Sequence, residues 1–224
     1  MKQDYVAITY DEKVRPKTQY PRQMTRHLVN ILKLKQGSFL LDVGCGRGDF
    51  TIAFQDNGLE VQGLDSSDFS VESLGKIGIK VSKVDIAHGP WPVPDNTVDV
   101  VYSKSVIEHL HNPEHFMAET YRVLKPGGRV ITMTPDWETG YSGFYNDYTH
   151  VQPYTVYALH DLLLMFSFRN VKVERFYQLP ILWKIPGLKL ISRILQLFIS
   201  PRPTIKNKFI RWSVDLMLLG TGIK

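Results

Sequence analysis

The sequence predicts an α/β fold in which helices cover both faces of a mostly parallel sheet. Short apolar runs, the first at residues 39–43, alternate along the chain with helix-like segments. These runs end in glycine, aspartate or serine, and the first of them leads into a glycine-rich turn. The 224 residues, 43% of them apolar, are enough for one domain with a sizeable core.

The glycine turn follows the first predicted strand. Gly44, Gly46 and Gly48 allow sharp turning with positive φ and let a ligand approach the bare main chain. Asp49 is predicted to be the N-cap of the next helix. It also occupies the place of the third glycine of the dinucleotide fingerprint, and no Gly-Lys-Ser/Thr sequence follows. Because a carboxylate at a helix start repels phosphate, we expect a ligand without phosphate.

The second and third predicted strands, residues 60–64 and 79–84, each end in an aspartate. Asp65 lies about twenty residues beyond the first glycine, where a carboxylate can accept both ribose hydroxyls of a nucleoside. Its alternative role is a helix N-cap, for which Ser66 competes. Asp85 ends the next strand and is expected in the same crevice.

The later strands are predicted from similar signals. Residues 98–102 form the fourth strand and lead to Ser103. A helix is expected from about residue 112 to residue 124, and the stretch 125–128 is expected to end it with a glycine cap. A fifth strand is predicted at 129–133. A sixth strand is expected at 170–177.

Several of these stretches resemble the class I S-adenosylmethionine (SAM) methyltransferases: L-D-V-G-C-G-R-G, D-V-V-Y-S and L-K-P-G-G-R-V, in register over about residues 39–133. The resemblance implies a doubly wound, Rossmann-like sheet of seven strands and SAM as cofactor. The implied cofactor-binding residues are Asp42, Gly44, Cys45, Gly46, Gly48, Asp65, Ser66, Asp85, Ile86 and Ser103. Among these, Asp85 would bind the adenine amino group, Ile86 would pack on the ring, and Asp42 would orient the amino-acid end.

Two histidines are the catalytic candidates. Methyl transfer from a sulfonium depends mainly on alignment, but a hydroxyl acceptor must also lose its proton. His109 and His150 lie in loops expected at the C-terminal edge of the sheet, although each could be structural instead. Glu108-His109 is similar to metal-dependent relatives, but Ser105 replaces their upstream glutamate. We therefore predict no metal.

The acceptor is less clearly indicated. Residues 134–155 are rich in aromatic side chains and predict a lid that suits a sugar or a ring, or that simply packs. We expect O-methylation of a sugar or lipid-linked glycan. The alternatives are a quinone or other small-molecule methyltransferase, and a non-catalytic SAM-binding or interaction protein. Nucleic acid is not expected, because no N-P-P-Y-type motif occurs.

The C-terminal region is basic and apolar, with ten lysines and arginines against two acidic residues over 171–224. Residues 188–200 predict an amphipathic helix whose wet face would be Lys189, Ser192, Arg193, Gln196 and Ser200. We expect peripheral membrane contact through residues 180–204. Packing on the core and a homodimer interface are the alternatives. This helix would be an insertion before a last strand at 213–219.

These predictions divide the chain into an N-terminal arm and helix (1–36), a SAM-binding core (37–178) and a basic amphipathic insertion with the last strand (179–224). Cys45 is a single cysteine, and no apolar leader is visible at the N-terminus. We therefore expect a cytoplasmic protein that associates with membranes.

Overall fold

The computed structural model describes residues 4–9, 12–13, 15–199, 205 and 207–224. The strands in this part of the chain are β1 (Phe39–Val43), β2 (Glu60–Asp65), β3 (Val81–Lys83), β4 (Val98–Lys104), β5 (Leu124–Pro135), β6 (Arg169–Phe176) and β7 (Met217–Ile223). The helices are α1 (Tyr5–Thr9), α2 (Tyr20–Leu32), α3 (Asp49–Asp56), α4 (Asp68–Gly75), α5 (Pro113–Val123), α6 (Trp137–Phe144), α7 (Val156–Met165), α8 (Pro180–Lys184), α9 (Lys189–Phe198) and α10 (Lys208–Val214). Short 3-10 turns occur at Ile107–His109 and Pro186–Leu188.

The strands form one seven-stranded sheet in the order β3-β2-β1-β4-β5-β7-β6. β1 pairs in parallel with β2 and β4, whereas β6 and β7 are antiparallel. The predicted fold class, a doubly wound seven-stranded α/β sheet, is confirmed. Leu40, Leu41 and Val43 are fully buried, as expected for a parallel strand that is covered on both faces.

The chain divides into two compact units. The first unit comprises residues 1–103, 114–130 and 224, and the second comprises 104–113 and 131–223. In the first unit, the rings of Phe54 and Tyr102 meet edge to face at 4.8 Å and anchor α3 on the sheet. In the second unit, a Cβ added to Gly220 would lie 3.0 Å from Leu159 Cδ2, so glycine lets α7 pack closely on β7.

Three element boundaries differ from the predictions. β3 covers only three residues. Residues 125–128 belong to β5 instead of capping a helix, because their backbone is paired: Gly127 N donates to Lys224 O at 3.0 Å, and Lys224 N donates to Gly128 O at 3.0 Å. The last strand begins later than expected because α10 forms first, capped by Asn207 Oδ1, which accepts hydrogen bonds from the N–H groups of Phe209 and Ile210.

The predicted helical insertion lies between β6 and β7 and contains α8, α9 and α10. Residues 200–204 of the predicted membrane segment, with Ser200 among them, lie outside the described residues. In the described part of the chain, none of the helices has the length and apolar character needed to cross a bilayer.

Candidate functional site

The glycine turn of the first unit is held by backbone hydrogen bonds to the end of β2. The N–H groups of Gly44 and Cys45 donate to Leu64 O at 2.8 and 3.2 Å. Gly46 N donates to Asp65 Oδ2 at 2.7 Å. Gly48, with φ of +81°, is the N-cap of α3, so the predicted cap Asp49 is instead the first helical residue. The turn and Asp65 therefore form one hydrogen-bonded unit.

Asp65 is buried and accepts a second backbone hydrogen bond, from Ser67 N to Oδ1 at 2.9 Å. Burial raises the pKa of the Asp65 carboxyl, and the N–H groups of Ser67 and Gly46 partly oppose that rise. Each oxygen of an ionised carboxylate has two lone pairs, so each can still accept a hydroxyl. The geometry leaves Asp65 chemically able to bind a ribose.

Asp85 follows β3 at the same edge of the sheet. Asp65 pairs in register with Lys83, and Val84 N donates to Asp65 O at 2.9 Å, which places Asp85 directly beyond that pair. The Asp85 side chain is exposed and bonded to His88 Nδ1 at 3.1 Å. Its position beside the glycine turn agrees with the predicted crevice at the strand ends.

The remaining predicted cofactor residues differ in exposure. Asp42 is buried and accepts a 2.6 Å hydrogen bond from Thr51 Oγ1. Burial raises the pKa of Asp42 to about 7. The Thr51 hydroxyl opposes this rise, and the nearby charge of Asp65 adds to it. Cys45 packs in the core, and burial raises the pKa of its thiol. The others are an exposed Ser66, a half-buried Ile86 and a buried Ser103.

A second group of polar side chains lies in the second unit. Glu108 is fully buried, and its Oε2 accepts a 3.0 Å hydrogen bond from Thr134 Oγ1. Its other oxygen, Oε1, has no hydrogen-bond partner among the described residues. Burial raises the Glu108 pKa to about 7, and the residue's own backbone N–H, the hydroxyls of Thr134 and Ser105 and the charge of Lys104 partly oppose that rise. Val151 N and Gln152 N donate to Glu108 O at 2.8 and 3.0 Å, so the chain around His150 is tied to this residue.

The two candidate histidines lie together beside Glu108. Their ring centroids are 4.7 Å apart. His150 Nδ1 lies 2.7 Å from Phe144 O, and since a carbonyl can only accept, Nδ1 carries the proton. Burial lowers the pKa of His109, and His150 lowers it further. We call Glu108, His109 and His150 the Glu-His-His cluster: one metal-ligand atom from each lies within 4.8 Å of the others.

His109 is oriented by a hydrogen-bond chain that the sequence did not reveal. Thr149 Oγ1 donates to Asp147 Oδ1 at 2.6 Å. Because that hydroxyl has a single proton, it accepts from His109 Nδ1 at 2.9 Å. Asp147 and Thr149 lie about forty residues from His109, and no sequence spacing links them to it.

The aromatic segment of the second unit, residues 134–155, for which the sequence predicts a lid, is partly helical. Asp136 Oδ1 caps α6 by accepting from Glu138 N at 3.3 Å. Trp137 contacts the rings of Phe144 and Tyr145 at 5.4 and 5.9 Å. Tyr145 is exposed, whereas Phe144 is buried and also contacts His150. The segment therefore presents aromatic surface next to the Glu-His-His cluster.

The prediction that the polar side of α9 faces solvent is wrong. Ser192 is fully buried, and its Oγ lies 2.9 Å from Ser213 Oγ of α10. Gln196 Nε2 donates to Ser213 O at 2.7 Å. Lys189 is half-buried with its Nζ 5.8 Å from the Tyr177 ring, and of the predicted wet residues that the structure describes only Arg193 is exposed. The polar side of the helix therefore packs on the protein.

The apolar side of α9 faces outward. We call it the apolar face of α9, and its exposed residues are Leu190, Ile191, Ile194, Leu197 and Phe198. Leu197 and Phe198 are 79% and 82% exposed. Ile181 and Ile185 from α8 and the turn after it are exposed as well. This polarity is the reverse of that of an ordinary surface helix, whose apolar stripe faces the core.

Comparison with known proteins gives consistent matches. Residues 41–132 match the family model described as "Methyltransferase domain". A probable S-adenosylmethionine-dependent methyltransferase of Mycolicibacterium smegmatis is 38% identical over 103 residues, 45% of this chain. A demethylmenaquinone methyltransferase of Bacillus cytotoxicus is 29% identical over 185 residues, covering 76% of this chain and 73% of the relative. The chain spans 39% of the length of the Mycolicibacterium relative.

A solved structure agrees over the whole chain. The crystal structure of a SAM-dependent methyltransferase from Archaeoglobus fulgidus superposes with a TM-score of 0.69 at 23% identity, covering 99% of this chain and 100% of that one. At this identity the likeness supports the fold.

Proposed function

Through residues 41–132 this chain belongs to the class I SAM-dependent methyltransferases, and we propose that it transfers the SAM methyl group to a hydroxyl of a sugar or lipid-linked glycan at a membrane surface. SAM is the cofactor of this family. The observation that carries the membrane part of the proposal is the apolar face of α9.

The proposed cofactor site is the glycine turn with its flanking aspartates. We propose that Asp65 accepts the ribose hydroxyls and that Asp85 binds the adenine amino group. The turn between Gly44 and Gly48 would hold the amino-acid end of SAM. The hydrogen bond from Gly46 N to Asp65 supports this assignment, because it joins the turn and the ribose-binding carboxylate into one rigid site.

The proposed role of the Glu-His-His cluster is to activate the acceptor hydroxyl. The Phe144 carbonyl keeps the proton of His150 on Nδ1, which leaves the Nε2 lone pair able to accept a hydroxyl proton. The neighbouring aromatic side chains Trp137 and Tyr145 suit the apolar faces of a sugar. This part of the proposal favours oxygen as the methyl acceptor.

The proposed membrane contact follows from burial and charge. Burying a large apolar side chain contributes about 1.5–3 kcal/mol, so even partial insertion of five such side chains gives measurable binding. Lys184, Arg193 and Arg211 are exposed in the same insertion and match an anionic lipid surface. The alternative is that the apolar face of α9 forms a homodimer interface.

Vesicle flotation tests the membrane contact. We expect the wild-type protein to float with vesicles that contain phosphatidylserine, and the Leu197→Gln/Phe198→Gln variant to lose most of that recovery. The matched control is Tyr157→Gln/Met165→Gln, since both residues are exposed on α7 of the same unit. Equal recovery of the first variant and the wild type would reject the membrane contact. A dimer in solution that the first variant dissociates would support the homodimer interface.

Methyl transfer from radiolabelled SAM to a cell lipid extract tests the acceptor. We expect label in the glycan-bearing lipid fraction, with His150→Gln reducing the rate at least tenfold while SAM affinity is unchanged. Label in the quinone fraction would instead favour the small-molecule alternative, which the similarity to the Bacillus cytotoxicus demethylmenaquinone methyltransferase supports. SAM binding without transfer to any fraction would favour a non-catalytic protein.

A further inference from the structure

The Glu-His-His cluster brings together the side-chain types that bind transition metals in proteins. Two imidazoles and one carboxylate each offer a ligand atom, and these atoms lie within 4.8 Å of one another. We infer that Glu108, His109 and His150 bind one divalent transition-metal cation. This inference departs from the sequence prediction of no metal, which rested on Ser105 and did not place His150 beside Glu108.

The carboxylate of Glu108 supports the inference. A buried carboxylate is costly unless both oxygens have partners. Oε2 is bonded to Thr134, whereas Oε1 has no partner in hydrogen-bond geometry among the described residues, although the Ser105 hydroxyl also acts on this carboxyl group. A cation would supply the missing partner. A proton on Oε1 is the competing explanation, because burial raises the pKa of Glu108 to about 7.

The hydrogen bonds of both histidines support the inferred metal site independently. Histidines that bind metals usually donate their other ring N–H to a carbonyl, carboxylate or similar acceptor, which fixes the ring and raises its basicity. His150 Nδ1 donates to Phe144 O at 2.7 Å. His109 Nδ1 donates to Thr149 Oγ1 at 2.9 Å, and that hydroxyl donates to Asp147 at 2.6 Å. Both rings are therefore held with Nε2 as the lone-pair nitrogen.

The donor set indicates the class of cation. Imidazole nitrogen favours Zn²⁺, Fe²⁺ or Co²⁺, whereas Ca²⁺ and Mg²⁺ prefer sites made of oxygen ligands. Three protein ligands leave coordination positions open, as in catalytic sites. An acceptor hydroxyl bound there would become more acidic and would release its proton to solvent water, so with a cation bound His150 would be a ligand instead of the base of the proposed function. That role rests on the proposed function, whereas cation binding does not.

Titration of the metal-free protein with CoCl₂, without SAM or acceptor, tests the site. We expect one equivalent of Co²⁺ to bind and to give visible absorption bands of nitrogen-and-oxygen coordination. His150→Gln and Glu108→Gln should each weaken binding at least tenfold and alter the bands. The control is His160→Gln, which removes a half-buried histidine that contacts Asp161 in the same unit and should leave binding unchanged.

Equilibrium dialysis with ZnCl₂ provides the second measurement. Wild-type protein that binds no stoichiometric Zn²⁺ or Co²⁺, or variants that bind as tightly as wild type, would overturn the inference and leave a protonated Glu108 as the explanation. The SAM affinity of each variant shows whether that variant is folded. If Glu108→Gln does not fold, the metal affinity of His150→Gln alone tests the inference. Failure of vesicle flotation would reject the proposed membrane contact without affecting this result.

Discussion

Asp65 and Asp42 are buried carboxylates of the first unit with different surroundings. Asp65 accepts two backbone N–H groups, whereas Asp42 has the hydroxyl of Thr51. Backbone donors fix the orientation of Asp65 and keep it available to a ligand at the strand end. Asp42 is surrounded by the core, and its ionised form is disfavoured. The first residue is therefore suited to binding, and the second affects stability.

Replacing Asp65 by Asn should weaken SAM binding. The amide has one acceptor oxygen instead of two and no charge, so a ribose hydroxyl or Gly46 N–H loses its partner. We expect affinity to fall at least tenfold by calorimetry, in keeping with the 1.5–3 kcal/mol typical of a hydrogen bond to a charged group. Asp68→Asn is the control, because Asp68 is exposed and pairs with Lys83. Unchanged affinity in Asp65→Asn would contradict the assignment.

Asp42 should make stability depend on pH. Its pKa is about 7 in the folded protein and near 4 when unfolded, so the folded state holds the extra proton between these values. The free energy of unfolding therefore falls as pH rises from about 4 to 7, by on the order of a few kcal/mol. Asp42→Asn should remove this part of the slope in urea titrations, whereas Asp161→Asn, an exposed control, should not. If the free energy of unfolding of Asp42→Asn and of the wild type changed with pH in the same way, Asp42 would not be the cause of the pH dependence.

Two elements determine how the proposed sites are presented. The glycine turn holds the start of α3 close to α4, because a Cβ on Gly48 would lie 2.2 Å from Leu74 Cδ2. α9 is held by hydrogen bonds from its polar side to Ser213, which leaves its apolar side exposed. In each element a close contact on one side fixes its position. The opposite side is then the one that a ligand or a membrane surface can reach.

Gly48→Ala should destabilise the protein more than Gly127→Ala. Both glycines have φ of +81°, so both substitutions place a side chain on backbone with positive φ. Only Gly48 has side-chain atoms in the way, since nothing lies within 4 Å of a Cβ at Gly127. We expect an additional loss of about 1–3 kcal/mol from overpacking against the buried Leu74, measured by urea unfolding. Equal losses would show that Leu74 moves aside freely.

The whole chain carries a net charge of +5, and the segment 171–224 is more basic than the rest. Arg193 and Arg211 are exposed in the insertion of the second unit, which also carries the apolar face of α9. Exposed charges far from one another interact weakly in solution but add together at an anionic surface. Charge and apolar surface therefore support the same proposed lipid partner.

Reversing these two charges should reduce binding to anionic vesicles specifically. We expect Arg193→Glu/Arg211→Glu to lower flotation with phosphatidylserine vesicles and to leave any binding to neutral vesicles unchanged. Lys76→Glu/Lys80→Glu makes the same charge change at exposed positions of the first unit and should have little effect. If both variants lose binding equally, net charge alone would explain it and the insertion would have no special role.

The sequence by itself determined the fold class, the glycine turn and the similarity to methyltransferases, because strand–helix alternation and positive-φ glycines are local properties that short stretches encode. Gly44, Gly46 and Gly48 all have positive φ, as their spacing predicts. Tertiary structure alone decided the outward side of α9 and the Glu-His-His cluster. A helix with two chemically distinct sides can pack by either one, and Ser213 of α10 selected the polar side. Glu108 and His150 meet because backbone hydrogen bonds join segments about forty residues apart, a pairing that no local pattern encodes.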